Sequence, residues 1–319
     1  MRKHRFFHVD VFTETRFGGN QLAVFVDGQS LSAEEMQKIA CEMNFSETTF
    51  VLPPESPEAD WKVRIFTPGR ELPFAGHPTL GTAYVLAQEG MVGLKEPQTA
   101  MKLELGIGIV PVELEVTNQK IWFLQMEQQQ PTFGQRLNQI ARIAEALAID
   151  VHEVEATGLP VEVVSCGLPF LYVPVKSLRA LENMKPNLSL LEDLCAKMEA
   201  TGVFVFSRET VHLEPTTSSS IVPGKDLPDL RVHSRMFAPG VGVHEDPATG
   251  SASGPLGCYL VKNGVVPFKS KIKIISEQGY EIRRPSTLYI EIGMTTNNIT
   301  DVRVGGYVVL VVEGTLFID

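Results

Sequence analysis

"RIFTPGRELPFAGHPTLGTA" (residues 64–83) and "RMFAPGVGVHEDPATGSASG" (residues 235–254) are two copies of one phrase. Both carry R-x-F-x-P-G, and both continue to a proline followed by glycine and small residues. Set at Pro78 and Pro247, His77 lies over Asp246, Gly81 over Gly250, Thr82 over Ser251 and Ala83 over Ala252. A polar residue before proline, then small residues, is how a helix N-terminus is written. The first helical turn leaves backbone N–H groups unpaired and carries a partial positive charge. Two such ends, one from each copy, predict a cradle that grips one anion from two sides, and a carboxylate is the natural guest. The exchange of His77 for Asp246 makes the two sides chemically different.

The repeat reaches beyond the phrase. "GGNQLAVFV" from Gly18 resembles "CGLPFLYVPV" from Cys166, "LSAEEMQKIACEM" resembles "LSLLEDLCAKM", and "TTFVL" resembles "GVFVF". Strand, strand, helix, strand, strand, phrase, helix and strands are therefore written twice. Two long copies are too few for a solenoid. They predict two similar domains of mixed helix and strand that face each other, with a small-molecule pocket between them. The boundary falls near 127, giving domains 1–127 and 128–319, and the last strand, about 307–319, is a candidate to cross back onto the first. Ser32 and Glu35 write a capping box for the clearest helix, whose apolar face is Met36, Ile39, Ala40 and Met43. "QRLNQIARIAEALAI" reads as an amphipathic helix, a connector or an insertion, and the Pro-, Ser- and Thr-rich stretch 208–229 as a long surface loop.

Bulk properties narrow the partners. A chain of 319 residues with net charge -10 has the length of about two domains and no basic face for nucleic acid. The four cysteines form no C-x-x-C pair and no metal-like cluster with histidine. They read as reduced, mostly buried thiols of a cytoplasmic protein. No apolar run is long enough to span a membrane, and "MRKHRFFHVDVF" is interrupted by His8 and Asp10 where a signal peptide would stay apolar.

Three residues stand out as chemistry. Asp246 and His77 sit at the heads of repeated helices beside glycines; singly, each also fits a structural role, as an N-cap or a satisfied histidine. Glu47 stands in "NFSETTFVL", where burial against Phe45, Phe50 and Val51 would raise its pKa toward that of a general acid/base. Its alternative is a turn glutamate on the surface. The second copy reads "EATGVFVF" there, with Glu199 a residue or two out of register.

These stretches, with "EQG…RPSTLYI" and "VRVGGYVVLVVEGTL", resemble the PhzF family of phenazine-biosynthesis-like isomerases, which shares the diaminopimelate-epimerase fold. The resemblance spans nearly the whole chain. It implies an α+β fold of two pseudo-symmetric domains, each a curved mixed sheet wrapped around a central helix. It also implies an interdomain active site, no cofactor and no metal, and a homodimer. In the family's best-understood member a glutamate moves a proton between carbons of a dihydro-hydroxyanthranilate ring. The matching motif here gives that role to Glu47, and the G-H-P-T and E-D-P-x-T-G-S-A motifs give catalytic roles to His77, Asp246 and Ser251. Substrate-binding roles fall to Asn20, Gly76, Thr79, Gly250 and Ala252. The chain departs from the family pattern at Gln21, where proline is usual, and at Arg283, where glycine is common before R-P-S. Related epimerases on this fold use two thiols in the loops leading into the paired helices. Those loops here hold Gly76-His77 and Gly250-Ser251, so a two-thiol racemase is not expected.

The expectation is a cofactor-independent isomerase or epimerase acting on a small carboxylate-bearing substrate through Glu47. The alternative is a non-catalytic protein that binds a metabolite or partner on the same fold. A nucleotide enzyme built on "GSASGPLG" lacks both the P-loop ending and the Rossmann context.

Overall fold

The computed structural model describes residues 1–211, 227–296 and 298–318. The loop read over 208–229 falls largely outside them. The first half runs β1 (Arg2–Val11), β2 (Asn20–Phe25), α1 (Ala33–Met43), β3 (Glu47–Leu52), β4 (Trp61–Phe66), β5 (Glu71–Leu72), α2 (Gly76–Gln88), β6 (Gln98–Leu105), β7 (Gly108–Thr117) and β8 (Lys120–Gln128). The second runs β9 (Thr132–Arg136), α3 (Ile140–Leu147), α4 (Val151–Glu155), β10 (Glu162–Ser165), β11 (Pro169–Pro174), α5 (Leu178–Asn183), α6 (Leu188–Met198), β12 (Gly202–Ser207), β13 (Leu230–Ala238), β14 (Val243–Asp246), α7 (Gly250–Lys262), β15 (Lys271–Gln278), β16 (Ser286–Met294) and β17 (Ile299–Gly306). The chain closes with β18 (Val308–Ile318).

The class is α+β, and the strand pairing repeats. β1 and β2 are antiparallel, β2 and β3 parallel, β3 and β4 antiparallel, β4 and β6 parallel, and β6, β7 and β8 antiparallel in turn. β10 to β17 repeat that order, with β11 parallel to β12 and β13 parallel to β15. β18 runs antiparallel to β1, the place β9 takes beside β10. β8 and β17 pair antiparallel and join the halves.

Each half is organised by one buried helix. α2 is buried along Gly76–Ala83 and Val85–Ala87, and α7 along Gly250–Leu260. Their sequences are apolar on nearly every side, which suits a helix enclosed by a sheet rather than lying on one. Val9, Leu22, Leu103 and Leu114 pack around α2, while Tyr172, Phe204, Ile274 and Ile290 pack around α7. α1 covers the outer face of β2 and β3 through Met36, Ile39 and Ala40, and its capping box forms as read, with Ser32 accepting from Glu35 N and Glu35 accepting from Ser32 N. The connector helix is shorter than its reading, because β9 takes Thr132–Arg136 and pairs with β10. Cys166, Cys195 and Cys258 are buried and Cys41 is exposed. Among the described residues no helix is long and apolar enough to cross a membrane.

Candidate active site

The structure moves the register of the repeated phrase. β4 pairs with β5 as Ile65↔Leu72, and β13 pairs with β14 as Met236↔Asp246. Leu72, not His77, is therefore the counterpart of Asp246, and Pro73, not Pro78, is the counterpart of Pro247. Arg64 holds Glu71 through two hydrogen bonds, and Arg235 holds Glu245 in the same way. α2 starts at Gly76 and α7 at Gly250, so His77 matches Ser251. Two further bonds agree: Thr79 Oγ1 donates to the Ala75 carbonyl at 2.7 Å, and Ser253 Oγ donates to the Thr249 carbonyl at 2.9 Å. The second copy has three extra residues between its P-G and its glutamate, which misleads an alignment by eye. Asp246 ends β14 and does not cap α7; the N-cap position is Thr249.

The two helix starts meet head to head. A Cβ on Gly76 would lie 2.5 Å from Ser251 N and 2.6 Å from Gly250 C. Glycine is required because backbone packs on backbone. The first N–H groups of both helices have no acceptor within their own helix and converge on one place.

Around this junction stand the candidate side chains. Glu47 opens β3, and its Oε2 lies 3.4 Å from His77 Nε2. Neither atom has a hydrogen-bond partner among the described residues. Asn20, first in β2, donates from Nδ2 to Asp246 Oδ1 at 2.7 Å and to the Ala248 carbonyl at 2.9 Å. Those bonds use both amide hydrogens, although His77 Nδ1 is also only 3.0 Å away. His77 also meets the Gln21 backbone, and its Nε2 faces Glu47. Asp246 accepts three donors in all: Asn20, Ser46 Oγ at 3.0 Å and Thr249 Oγ1 at 2.6 Å.

Burial and charge then separate these groups. Burial raises Glu47 well above the usual carboxyl range, and the neighbouring Asp246 charge adds to it. Burial also lifts Asp246, to about 6, against the downward pull of Thr249, Asn20 and Ser46. His77 is held neutral, down at about 3, by burial.

Glu47, Gly76, His77, Asp246, Gly250 and Ser251 line one cavity with room of about 30 Å³, near the size of one water. Asn20 supports it through Asp246 and the Ala248 carbonyl. Thr79 and Ala252 do not line it: Thr79 bonds back to its own helix, and Ala252 packs in the core with its carbonyl accepting from Tyr172. The remaining wall is mostly apolar, with Leu72, Leu168, Phe170, Met236, Val241 and Val243 beside Thr201 and Thr249. Sequence reasoning missed this wall, and also Thr249 and Gln278. The strand register exposes the asymmetry. Thr48↔Phe66 in the first half corresponds to Val203↔Phe237 in the second, so the counterpart of Glu47 is Gly202. Glu199 lies three residues earlier, as the left-handed C-cap of α6.

Residues 9–314 match the family described as phenazine biosynthesis-like protein. The trans-2,3-dihydro-3-hydroxyanthranilate isomerase of Pseudomonas aeruginosa is 35% identical over 325 residues, covering 99% of this chain and 100% of that one. The crystal structure of a PhzF-family phenazine biosynthesis protein from Bacillus anthracis superposes with a TM-score of 0.85 at 30% identity, covering 100% of both chains. A hydroxyproline epimerase from Agrobacterium vitis shares the fold alone, with a TM-score of 0.65 at 13% identity over 99% of this chain and 92% of that one.

Proposed function

The chain belongs to the phenazine biosynthesis-like protein family, and from that premise we propose that it is an isomerase that needs no cofactor. It moves a proton between two carbons of a small carboxylate-bearing substrate. The reading is carried by one observation: the buried Glu47 carboxyl, aimed at His77 Nε2, opens into the cavity between two helix starts. The substrate carboxylate rests on the N–H groups of α2 and α7, which favour an anion without any cationic side chain. Glu47, protonated at rest, gives its proton to the carbon at the far end of the unsaturation, and the carboxylate so formed takes the proton of the activated C–H bond, whose electron pair moves into the adjoining unsaturation. Proton transfer by a positioned side chain is worth about 10²–10⁴-fold in rate, and a raised pKa brings the Glu47 carboxyl closer to the operating pH. His77, neutral, orients Glu47 and shares its proton. Asp246 and Ser251 hydrogen-bond the substrate's polar groups. A cavity of about 30 Å³ is too small for a ring, so the two walls must part on binding.

The first compound to try is trans-2,3-dihydro-3-hydroxyanthranilate, named in the Pseudomonas aeruginosa relative, followed by small carboxylates with an acidic C–H. Each is incubated with enzyme in D2O and followed by proton NMR. The reading expects deuterium at the carbon that receives the proton, and loss of that signal in Glu47→Gln. It fails if no compound in the panel exchanges or isomerises, or if Glu47→Gln turns over at the full rate.

A further inference from the structure

The E-Q-G segment that ends β15 has no place in the mechanism above, yet its glutamine is fully buried against the site. Gln278 spends its whole amide on the turn between Asp246 and Thr249. Nε2 donates to the Asp246 carbonyl at 2.8 Å and to Thr249 Oγ1 at 2.9 Å, while Oε1 accepts from Thr249 N at 3.0 Å. The amide cannot be turned over, because a backbone carbonyl only accepts and a backbone N–H only donates. Thr249 Oγ1 therefore always receives a hydrogen from Gln278. Its own single hydrogen has one remaining direction, toward Asp246 Oδ2 at 2.6 Å.

We propose that Gln278 is a positioning residue: it fixes the direction of the Thr249 hydroxyl and so holds Thr249 as a permanent donor to Asp246. The chain Gln278 to Thr249 to Asp246 runs one way only. Asn20 and Ser46 supply the other two donors from the opposite half. With three donors Asp246 stays the ionised member of the site's two carboxyls, and the proton stays with Glu47. The other titratable groups around Asp246 are Glu47 from β3, His77 from α2 and Glu245 from its own strand.

The proposal rests on Asp246 being a site carboxylate, but its test needs no substrate, so it can fail or succeed apart from the isomerase reading. The full chain is labelled with ¹³C at aspartate carboxyls, and the Asp246 signal is assigned by its loss in Asp246→Asn. In the wild type it should titrate near 6. Gln278→Met should raise that midpoint by about one unit, the worth of one charge-assisted hydrogen bond. Gln278→Asn, too short to reach, guards against a fold failure and should do the same. Thr249→Val should raise it similarly and Thr249→Ser should not. The double variant Gln278→Met with Thr249→Val should go no further than either alone, because one acts through the other. The proposal is overturned if the Gln278 variants leave the Asp246 midpoint in place while Thr249→Val moves it, or if the two shifts add.

Discussion

Replacing Gly76 by alanine tests the head-to-head helix junction on which the site depends. The new Cβ would sit 2.5 Å from Ser251 N and 2.6 Å from both Gly250 C and Gly250 Cα, where ordinary contact begins at 3.4 Å. All three obstacles are backbone atoms of α7, so no side chain can rotate away. The two helix starts must separate by nearly 1 Å, the shortfall in those distances. Forced overpacking of this kind costs about 1–3 kcal/mol. Alanine in place of glycine returns up to about 1 kcal/mol of backbone entropy. The net expectation is a loss of about 1–2 kcal/mol, a fall in melting temperature of roughly 1.5–3 °C for a chain of this length. Thermal unfolding by circular dichroism at neutral pH measures it. Gly250→Ala should lose less, because its nearest obstacle is the Phe12 ring at 2.8 Å, which can shift. Gly93→Ala, with nothing within 4 Å, should melt like the wild type. Because the same shift moves the anion-facing N–H groups, turnover should fall by about 10²-fold, as for other displacements near 1 Å. A Gly76→Ala protein that melts within a degree of wild type would refute the close approach of the two helices.

Three further outcomes follow from the same geometry. Glu47 titrates higher folded than unfolded, so its contribution to stability is full below its ordinary value near 4.5 and is lost as pH rises through the raised one. Glu47→Gln should therefore match wild type in urea unfolding at pH 4.5 and exceed it at pH 9; equal midpoints at pH 9 would show that the carboxyl is not buried. Arg235→Met should cost about 3–5 kcal/mol because it leaves Glu245 uncompensated in a half-closed site, whereas Arg64→Met, whose partner Glu71 is exposed, should cost under about 1 kcal/mol; chemical denaturation of both variants gives the comparison, and equal losses would contradict it. Arg283 has φ 60, a left-handed conformation that strains a residue with a side chain, so Arg283→Gly should be neutral or stabilising by up to about 1 kcal/mol, and a clear drop in melting temperature would show that the side chain has a role of its own.

Much of the architecture was legible because duplication writes the same turns twice. The capping box at Ser32, the strand–helix alternation and the small-residue starts of α2 and α7 are local signals, and local signals survive in sequence. The register between copies was not legible. Arg64 with Glu71 and Arg235 with Glu245 make the same contact, yet three added residues in the second copy hide the match, and the proline beside His77 offers a false one. Only strand pairing shows that Asp246 answers Leu72 and that Glu47 answers Gly202. The apolar wall was hidden for a different reason. Leu168, Phe170 and Met236 read as ordinary core residues, and nothing in their neighbourhood marks the face that borders the cavity. Gln278 lies 32 residues beyond Asp246 and reaches it through the parallel pairing of β15 with β13, a contact no local pattern encodes.

Two carboxyls meet in this cleft, and hydrogen-bond counting assigns them different work. Asp246 is buried but accepts three donors, each of which favours the ionised form. Glu47 is buried with its Oε2 lacking any partner among the described residues, and an ionised Asp246 opposes a second negative charge beside it. A proton shared between such a pair belongs on Glu47. Had the duplication stayed symmetric, the site would hold two acids or two glycines at these positions. With two acids one would serve each substrate face, and with two glycines there would be no base at all. Gly202 removes the second acid, and a Cβ there would already press on the Phe237 carbonyl at 2.7 Å, so that wall cannot regain one without moving. On the proposed reading, proton removal and return occur on the single face that Glu47 commands, which suits a shift along one substrate better than inversion at one carbon.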